Sequence, residues 1–427
     1  MATGRAVGEQ SGARLLRERG PDRQRVTSAE LFFDLVYVFA VTQLSHSLRS
    51  HLDVRGALQT LLLLLAIWWV WSATAWVTNW FDPDSRPVRA MLLGIMLVSL
   101  IMSAALPRAF GDLGRAFALA YAAIQIGRTA WVVAHARADP VVRRNFQRIL
   151  AWTGVSGVCW IAGGFAGEGA RVGLWALATL IDWAAPSLGF ATPGLGRSTP
   201  ADWPIAGGHL AERCQLFVIV ALGESILVTG SAVTALPFSA ATLTAFATAF
   251  LGTAACWWLY FDRAAEAANG VIARAPDPGR LGRSAYTYGH LPIVAGIIVG
   301  AVGDALVITH PSGRTDAATA LVVLGGPALF LLGHALFKAL LFGGIALNRL
   351  LGIGALAALL PAGTVVPPLA LALAATLVVL AVAASDHVLQ RRFPWDLAAP
   401  RRTLSPTAGP LPHAGAPLDP DGTLVED

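Results

Sequence analysis

The sequence predicts an all-α polytopic membrane protein, with about 12 transmembrane helices in two six-helix pseudo-repeats of the same orientation. Three observations carry that prediction. Hydrophobic residues make up 55% of the 427-residue chain and charged ones only 13%, with a mean hydropathy of +0.60, about half the charge content of an average soluble domain. The apolar residues fall in runs of roughly 20, the length that crosses a ~30 Å hydrocarbon core. The arginines gather in alternate connections between those runs, as expected when basic loops stay in the cytoplasm.

Scanning for such runs places spans near 30–48, 57–79, 88–106, 116–135, 148–166 and 171–188, and a second set near 212–233, 240–261, 286–308, 317–338, 341–360 and 368–387. The chain then divides into a polar cytoplasmic segment (1–26), a first six-helix half (27–188), a Gly- and Pro-rich cytoplasmic linker (189–208), a second six-helix half (209–390) and a tail (391–427). Residues 1–26 carry Arg5, Arg14, Arg17, Arg19, Arg23 and Arg25 but no apolar stretch of the signal-peptide kind, so the first span is expected to act as its own insertion signal. The tail is polar and rich in proline, a composition that cannot bury a core and predicts disorder.

Charge placement tests the topology. With the N-terminus inside, 24 of the 31 basic residues lie on the cytoplasmic side and six outside (Arg49, Arg55, Arg108, Arg115, Arg171 and Arg314), while Arg128 falls within a span. That asymmetry predicts an even number of crossings and cytoplasmic termini. The same dispersal of arginines explains the net charge of +5 without a nucleic-acid partner. Fourteen Trp residues suit the headgroup interface. Cys159, Cys214 and Cys256 sit singly in apolar runs, a spacing that predicts buried free thiols rather than a disulfide or metal cluster.

The halves resemble each other weakly. Laying Ala29-Glu30 on Ala211-Glu212 sets Thr42 opposite Glu224. Trp68-Trp69 matches Trp257-Trp258, and Gly127-Arg128 matches Gly333-His334. Six spans per half is an even number, so the repeats would share one orientation, the parallel arrangement of some secondary transporters.

Several polar residues fall inside this apolar frame. On the first span Glu30, Asp34, Tyr37, Val41 and Ser45 lie within ~60° of one another at 100° per residue. Glu30 stands three residues after Thr27, the spacing of a capping box; Glu212 is placed to cap the seventh span in the same way. Asp34 has no such local role. Glu224 follows Gly223 and lies eleven residues past Arg213, or ~16 Å deeper, near mid-bilayer. An ionised group there costs at least ~2.5–3.5 kcal/mol unless it meets a partner or water. Arg128, His290, and His334 with Lys338 supply the positive charge of the spans, Arg128 being the expected counter-charge to Asp34. Most of these groups, with Asn79, Asp82, Tyr260 and Asp262, lie toward the cytoplasm. A polar cavity open to that side is expected, walled by Trp68, Trp69, Trp257 and Trp258. Gly296 and Gly300 form a GxxxG, read as a helix contact, and Pro292 and Pro327 are placed to free backbone carbonyls.

The stretch ELFFDLVYVFAVTQLSH from Glu30 resembles the opening signature of the bacterial low temperature requirement protein A (LtrA) family. HLAERCQLFVIVALGESIL, the WWLYFD at Trp257–Asp262 and YTYGHLPIVAGI at Tyr286–Ile297 are similar to its later signatures. The resemblance spans roughly residues 25–390. Relatives usually carry a glycine near Cys214-Gln215, where this chain departs. The resemblance implies a multi-pass protein of the bacterial inner (plasma) membrane with a connection to growth in the cold. It implies no reaction.

The reading that follows is a secondary-transporter-like or permease-like protein binding a proton, cation or small solute through Asp34, Glu224, Arg128, His290, His334, Glu30 and Glu212. No P-loop, HExxH or GxSxG motif occurs, so neither direct coupling to ATP nor an enzyme is expected. The alternatives are a non-transporting scaffold of stress adaptation and a membrane-embedded enzyme acting on lipid through His290 or His334. No cofactor or metal is expected. The expected partners are the bilayer and a small solute or ion, with nucleic acid excluded and self-association left open.

Overall fold

The computed structural model describes residues 15–17, 25–199, 202–203, 205–262 and 264–392, with side chains as far as residue 386. Most of the polar N-terminal segment and the tail beyond residue 392 therefore lie outside the described residues. Their regular secondary structure is helical, with two isolated β-bridges in the connections, Leu16 to Phe81 and Thr192 to Gly196.

The first half contains α1 (Ser28–Ser50), α2 (Val54–Trp80), α3 (Arg86–Ala105), α4 (Gly114–His135), α5 (Pro140–Phe165) and α6 (Glu168–Ala184). The second contains α7 (Gly207–Thr234), α8 (Ala240–Phe261), α9 (Ala264–Ala273), α10 (Pro278–Leu281), a π-helical segment Gly282–Tyr288, α11 (Leu291–Thr309), α12 (Ala317–Phe342), α13 (Leu347–Ala358), α14 (Leu360–Gly363) and α15 (Pro368–Arg392).

Among the described residues, nine helical stretches are long and apolar enough to cross a membrane: α1, α2, α3, α4, α7, α8 with α9, α10 through α11, α12 and α15. The other three expected spans form helices of a different kind. Helix α5 has 26 residues, but its first turns carry Arg143, Arg144 and Arg148. Helix α6 has 17 residues and α13 only 12. Twelve residues reach ~18 Å, short of the ~30 Å hydrocarbon.

Helix starts follow from their capping residues. Glu30 accepts from the Thr27 amide at 3.0 Å while the Thr27 hydroxyl accepts from the Glu30 amide at 3.4 Å, the capping box that the Thr27–Glu30 spacing predicts. Asp316 opens α12 by accepting from the amide and hydroxyl of Thr319 at 2.9 and 2.6 Å, bonds that hold its carboxyl below the usual range. Helix α7 begins at Gly207, five residues before the expected Glu212. The Asn79 side chain supports this start: its carbonyl oxygen accepts from the Ala206 amide at 2.8 Å, a donor left unpaired at a helix start, and its NH2 donates at 2.9 Å to the Ala206 carbonyl, which also accepts from Leu210.

The two sets of helices share much of their packing order, although α12 also touches α15 with no comparable contact between α4 and α6. In the first, α1 touches α2 and α3, α2 touches α6, and α3, α4, α5 and α6 pack successively; in the second, α7 touches α8 and α11, α8 touches α15, and α11, α12, α13 and α15 pack successively. The halves meet where α1 lies against α7 and α11, and α2 against α7. The expected polar stripe of α1 is buried, whereas Leu31, Phe32, Leu35 and Phe39 are exposed. Exposed Leu93, Leu97, Ile101, Phe250, Leu251, Leu332 and Leu336 continue the apolar surface on other helices, as a lipid-facing exterior requires.

Helices α11 and α12 approach most closely through glycines. A Cβ on Gly296 would fall 2.3 Å from the Phe330 amide nitrogen, and one on Gly326 2.5 Å from that of Gly300. Gly303 and Gly333 make similar contacts. Of the GxxxG pair only Gly296 has its Cβ position against the neighbouring backbone, that of Gly300 being open; the close approach follows a seven-residue pattern, Gly296 and Gly303 on α11 and Gly326 and Gly333 on α12.

Candidate functional site

The most heavily charged part of the interior joins α1, α2 and α7. Glu30 and Asp34, one turn apart on α1, meet His209 and Arg213, one turn apart on α7. Arg213 Nη1 donates to Glu30 Oε1 at 3.0 Å and to Thr78 Oγ1 at 3.1 Å, and its Nη2 donates to Asp34 Oδ1 at 2.6 Å. His209 Nε2–H donates to Glu30 Oε1 at 2.9 Å, leaving Nδ1 to accept from the Asn79 amide at 3.1 Å. Trp71 Nε1–H donates to Asp34 Oδ1 at 2.8 Å, and Arg17 reaches Glu30 Oε2 at 3.4 Å. Phe33 and Trp71 flank the Arg213 guanidinium at 5.7 and 5.8 Å. Two carboxylates are thus balanced by two guanidiniums around the imidazole of His209, their side chains buried, as low-dielectric surroundings demand.

Asp34 is therefore paired with Arg213 and not with Arg128, correcting the expectation. Arg213 and His209 were not among the expected site residues, yet a signal was available. Two basic groups four residues apart on α7 match two acids four residues apart on α1, and residues at that spacing share a helix face. Glu212 points elsewhere, is half-buried and accepts from the Val26 amide at 3.3 Å.

Glu224 lies farther along α7 and is buried. Thr42 of α1 donates to its Oε2 at 2.5 Å, while Oε1 has no partner among the described residues. The Thr42 hydroxyl also lies 3.0 Å from the Val38 carbonyl. The pair accommodates either state of the carboxyl: an ionised Glu224 accepts from Thr42, and a protonated one donates to it while Thr42 turns its proton to Val38.

Across α2 from the charge network is a cavity of about 500 Å³, enclosed by α2, α4, α5, α6, the 185–199 connection and the segment 279–288. Trp69, Trp76, Trp80, Trp152, Trp203 and Tyr288 form its walls; Arg128, Thr129, Ser72 and Asp182 supply polar surface, and Arg197, Arg280 and Arg283 also line it. Only Trp69 of the four expected wall residues takes part. Trp68 is buried against Trp71 and Phe217, at 4.9 and 5.2 Å between ring centroids. Trp257 and Trp258 are about half exposed on α8, where an indole suits a membrane interface. Neither Asp34 nor Glu224 lines the cavity; Arg128 does.

Arg128 is buried and bonded to neutral groups alone. Its Nη1 donates to the Val70 carbonyl at 3.3 Å and to Thr74 at 3.0 Å, and its Nη2 to Gln125 Oε1 at 2.5 Å. Nε has no partner. Gln125 donates to the Tyr121 hydroxyl at 3.3 Å, which donates to Asp182 at 2.7 Å, so a hydrogen-bonded chain leads from the arginine to that carboxylate.

His290 and His334 form a separate cluster between α8, α11 and α12. The π-helical segment leaves the Ala285 carbonyl to accept from His290 Nδ1–H at 2.9 Å, so His290 Nε2 accepts from the Tyr260 hydroxyl at 2.7 Å. Irregular turns of this kind concentrate at functional sites. Another carbonyl of the segment, Thr287, accepts from Trp68 at 2.6 Å. His334 Nδ1 accepts from Arg349 at 3.4 Å, while its Nε2 has no partner among the described residues. Arg349 itself is held by both oxygens of Asp386.

The model of the bacterial low temperature requirement A protein (LtrA) family matches residues 25–384. The chain belongs to this family. The chain is also similar to "Uncharacterized protein RA0937" of Rhizobium meliloti (strain 1021), 39% identical over 319 residues, covering 74% of this chain and 78% of the relative. No solved structure matches the chain. The segments that resemble LtrA signatures supply the polar groups described above: Glu30, Asp34 and Thr42 from the first, His209, Arg213 and Glu224 from the second, Tyr260 from the third, and Thr287 and His290 from the fourth.

Proposed function

We propose that this LtrA protein is a permease-like protein of the inner membrane, with both termini cytoplasmic, that moves a small solute using Glu224 as its proton or cation site. The observation that carries this reading is the Glu224–Thr42 pair, a buried carboxylate with one free oxygen and a partner suited to both of its charge states. Its location adds support. Thr42 and Glu224 are opposite each other in the alignment of the halves, and corresponding residues of a parallel repeat touch only near the axis that relates them. The shared order of helix neighbours in the two halves supports a six-plus-six arrangement, in which α5 and α6 complete the first six crossings and α13, too short to cross alone, takes the eleventh place together with α14. Transporters built this way hold their sites at the repeat interface. The cavity fits a solute route, because segment 279–288 of the second half lies against helices of the first.

The test is flux in proteoliposomes containing a pH-sensitive dye, with organic acids, amines and sugars offered as gradients. A solute-driven proton movement is expected, abolished in Glu224→Gln and reduced in Thr42→Val. If no solute moves and Glu224→Gln behaves as wild type, the permease reading fails. One observation favours the scaffold instead: Glu30, Asp34 and Arg213 are ion-paired and buried, with Arg17 supplying the second positive charge, an arrangement suited to fixing helix positions. We assign these three residues to the joint between the halves and reserve the transport role for Glu224.

A further inference from the structure

We propose that the tryptophan-walled cavity binds organic carboxylates, with the carboxylate on Arg128 and an apolar body against the indoles; this rests on the permease reading and names its substrate class. A buried guanidinium normally has a counter-ion, because an uncompensated charge away from water is costly. Arg128 is 3% exposed, and no carboxylate oxygen lies within 4 Å of it among the described residues. Its three neutral partners occupy both Nη1 donors and one Nη2 donor. Nε–H has no partner among the described residues and Nη2 keeps one donor beyond its bond to Gln125; Nε is itself covered, so a carboxylate takes this donor capacity by displacing neighbouring side chains at the cavity wall.

The surrounding chemistry selects the rest of the ligand. Arg197, Arg280 and Arg283 add positive charge, whereas Asp182, the one acid of the lining, already accepts from Tyr121 and Trp160. An anion is therefore favoured over a cation. Five tryptophans and a tyrosine line the cavity, an apolar container that matches a hydrocarbon or aromatic body better than a fully hydrated oxyanion such as phosphate. A volume of about 500 Å³ lies in the range of sites for compact organic ligands.

The experiment is calorimetric titration of the purified full-length protein in detergent. Its probes are 3-phenylpropionate, octanoate, the neutral 3-phenylpropionamide, phenethylammonium and inorganic phosphate. Saturable binding of the two carboxylates is expected, with the amide and ammonium at least ten-fold weaker. Preference for phenylpropionate marks an aromatic metabolite as the natural class, and preference for octanoate a fatty acid. Arg128→Gln should lower carboxylate affinity at least ten-fold and Arg128→Lys less. Because Arg128 is buried, the exposed Arg280→Gln provides a second reading that leaves folding untouched, expected to weaken binding a few-fold and to reduce its salt dependence. Equal binding of amide and carboxylate, tighter binding of phosphate or phenethylammonium, or full affinity in Arg128→Gln overturns the proposal. Carboxylate binding without flux would sink the permease reading and leave this site standing; flux of another solute with no carboxylate binding would do the reverse.

Discussion

Arg213 and Arg128 are both buried and stand on opposite sides of α2, but they live in different electrostatic worlds. Arg213 is shared between two carboxylates at 3.0 and 2.6 Å. Arg128 touches only a carbonyl, a hydroxyl and an amide oxygen, and it borders a cavity. The side of α2 that carries Trp71, Thr78 and Asn79 completes a closed joint. The side that carries Trp69, Ser72 and Trp76 faces open volume. One helix thus separates a place where charge is spent on holding the halves together from a place where charge is left for something else. Burial alone does not identify a functional residue; a guanidinium that lacks a direct ion pair and borders a cavity is the sharper criterion.

The largest test of this contrast is Arg213→Met. It leaves Glu30 and Asp34 buried beside each other with only the more distant Arg17 in reach, and breaking a buried pair by removing one partner costs about 3–5 kcal/mol. The variant is expected to lose most of its folded, monodisperse fraction in detergent, followed by size exclusion and thermal unfolding. Adding Glu30→Gln and Asp34→Asn should restore part of that loss, since the uncompensated charge is then gone. Wild-type stability in the single variant would mean that the network carries no structural load.

Arg128→Met is the intermediate case. It strands the Val70 carbonyl, Thr74 and Gln125, which are neutral, and cavity water can replace a donor to them. The expected loss is about 1–2 kcal/mol in the same unfolding assay, clearly below that of Arg213→Met. Equal losses would show that Arg128 is as firmly built into the fold as Arg213 and would erase the distinction between joint and site.

These residues also mark how far the sequence could be read. Periodicity within one helix is local, so the buried stripe of α1, its exposed leucines and phenylalanines and the capping box at Thr27 were all legible. The membrane class followed from composition, and the family from four motifs. Partnership between helices is a different quantity. Which face of α4 meets which face of α2 depends on packing across the bundle, and nothing in the spacing of Arg128 tells Asp34 that a different arginine will reach it. Tryptophans were misplaced for a related reason. An indole on a lipid interface and one lining a cavity satisfy the same apolar pattern, so Trp257-Trp258 was read by analogy with Trp68-Trp69 although α8 turns its pair outward. Helix α13 is shorter than expected chiefly at its start, because α12 runs on to Phe342 and closes at Gly343 in the left-handed region, and hydropathy does not separate that apolar connection from a helix.

Arg55 completes the series at its small end. It pairs with Glu168, joining the start of α2 to the start of α6, but the side chains are 67% and 47% exposed. Exposed ion pairs contribute ~0–1 kcal/mol, because water screens the attraction and two long side chains must be held in place. Arg55→Gln should therefore shift unfolding by less than either buried substitution, and the shift should vanish near 1 M salt, where the Debye length falls to ~3 Å. The three arginines then order by what surrounds them: carboxylates in a sealed joint, neutral acceptors beside a cavity, one acid in water. Should Arg55→Gln prove as damaging as Arg213→Met, counter-charge and burial would not be the quantities that rank them, and the case for Arg128 as an unneutralised binding group would lose its physical basis.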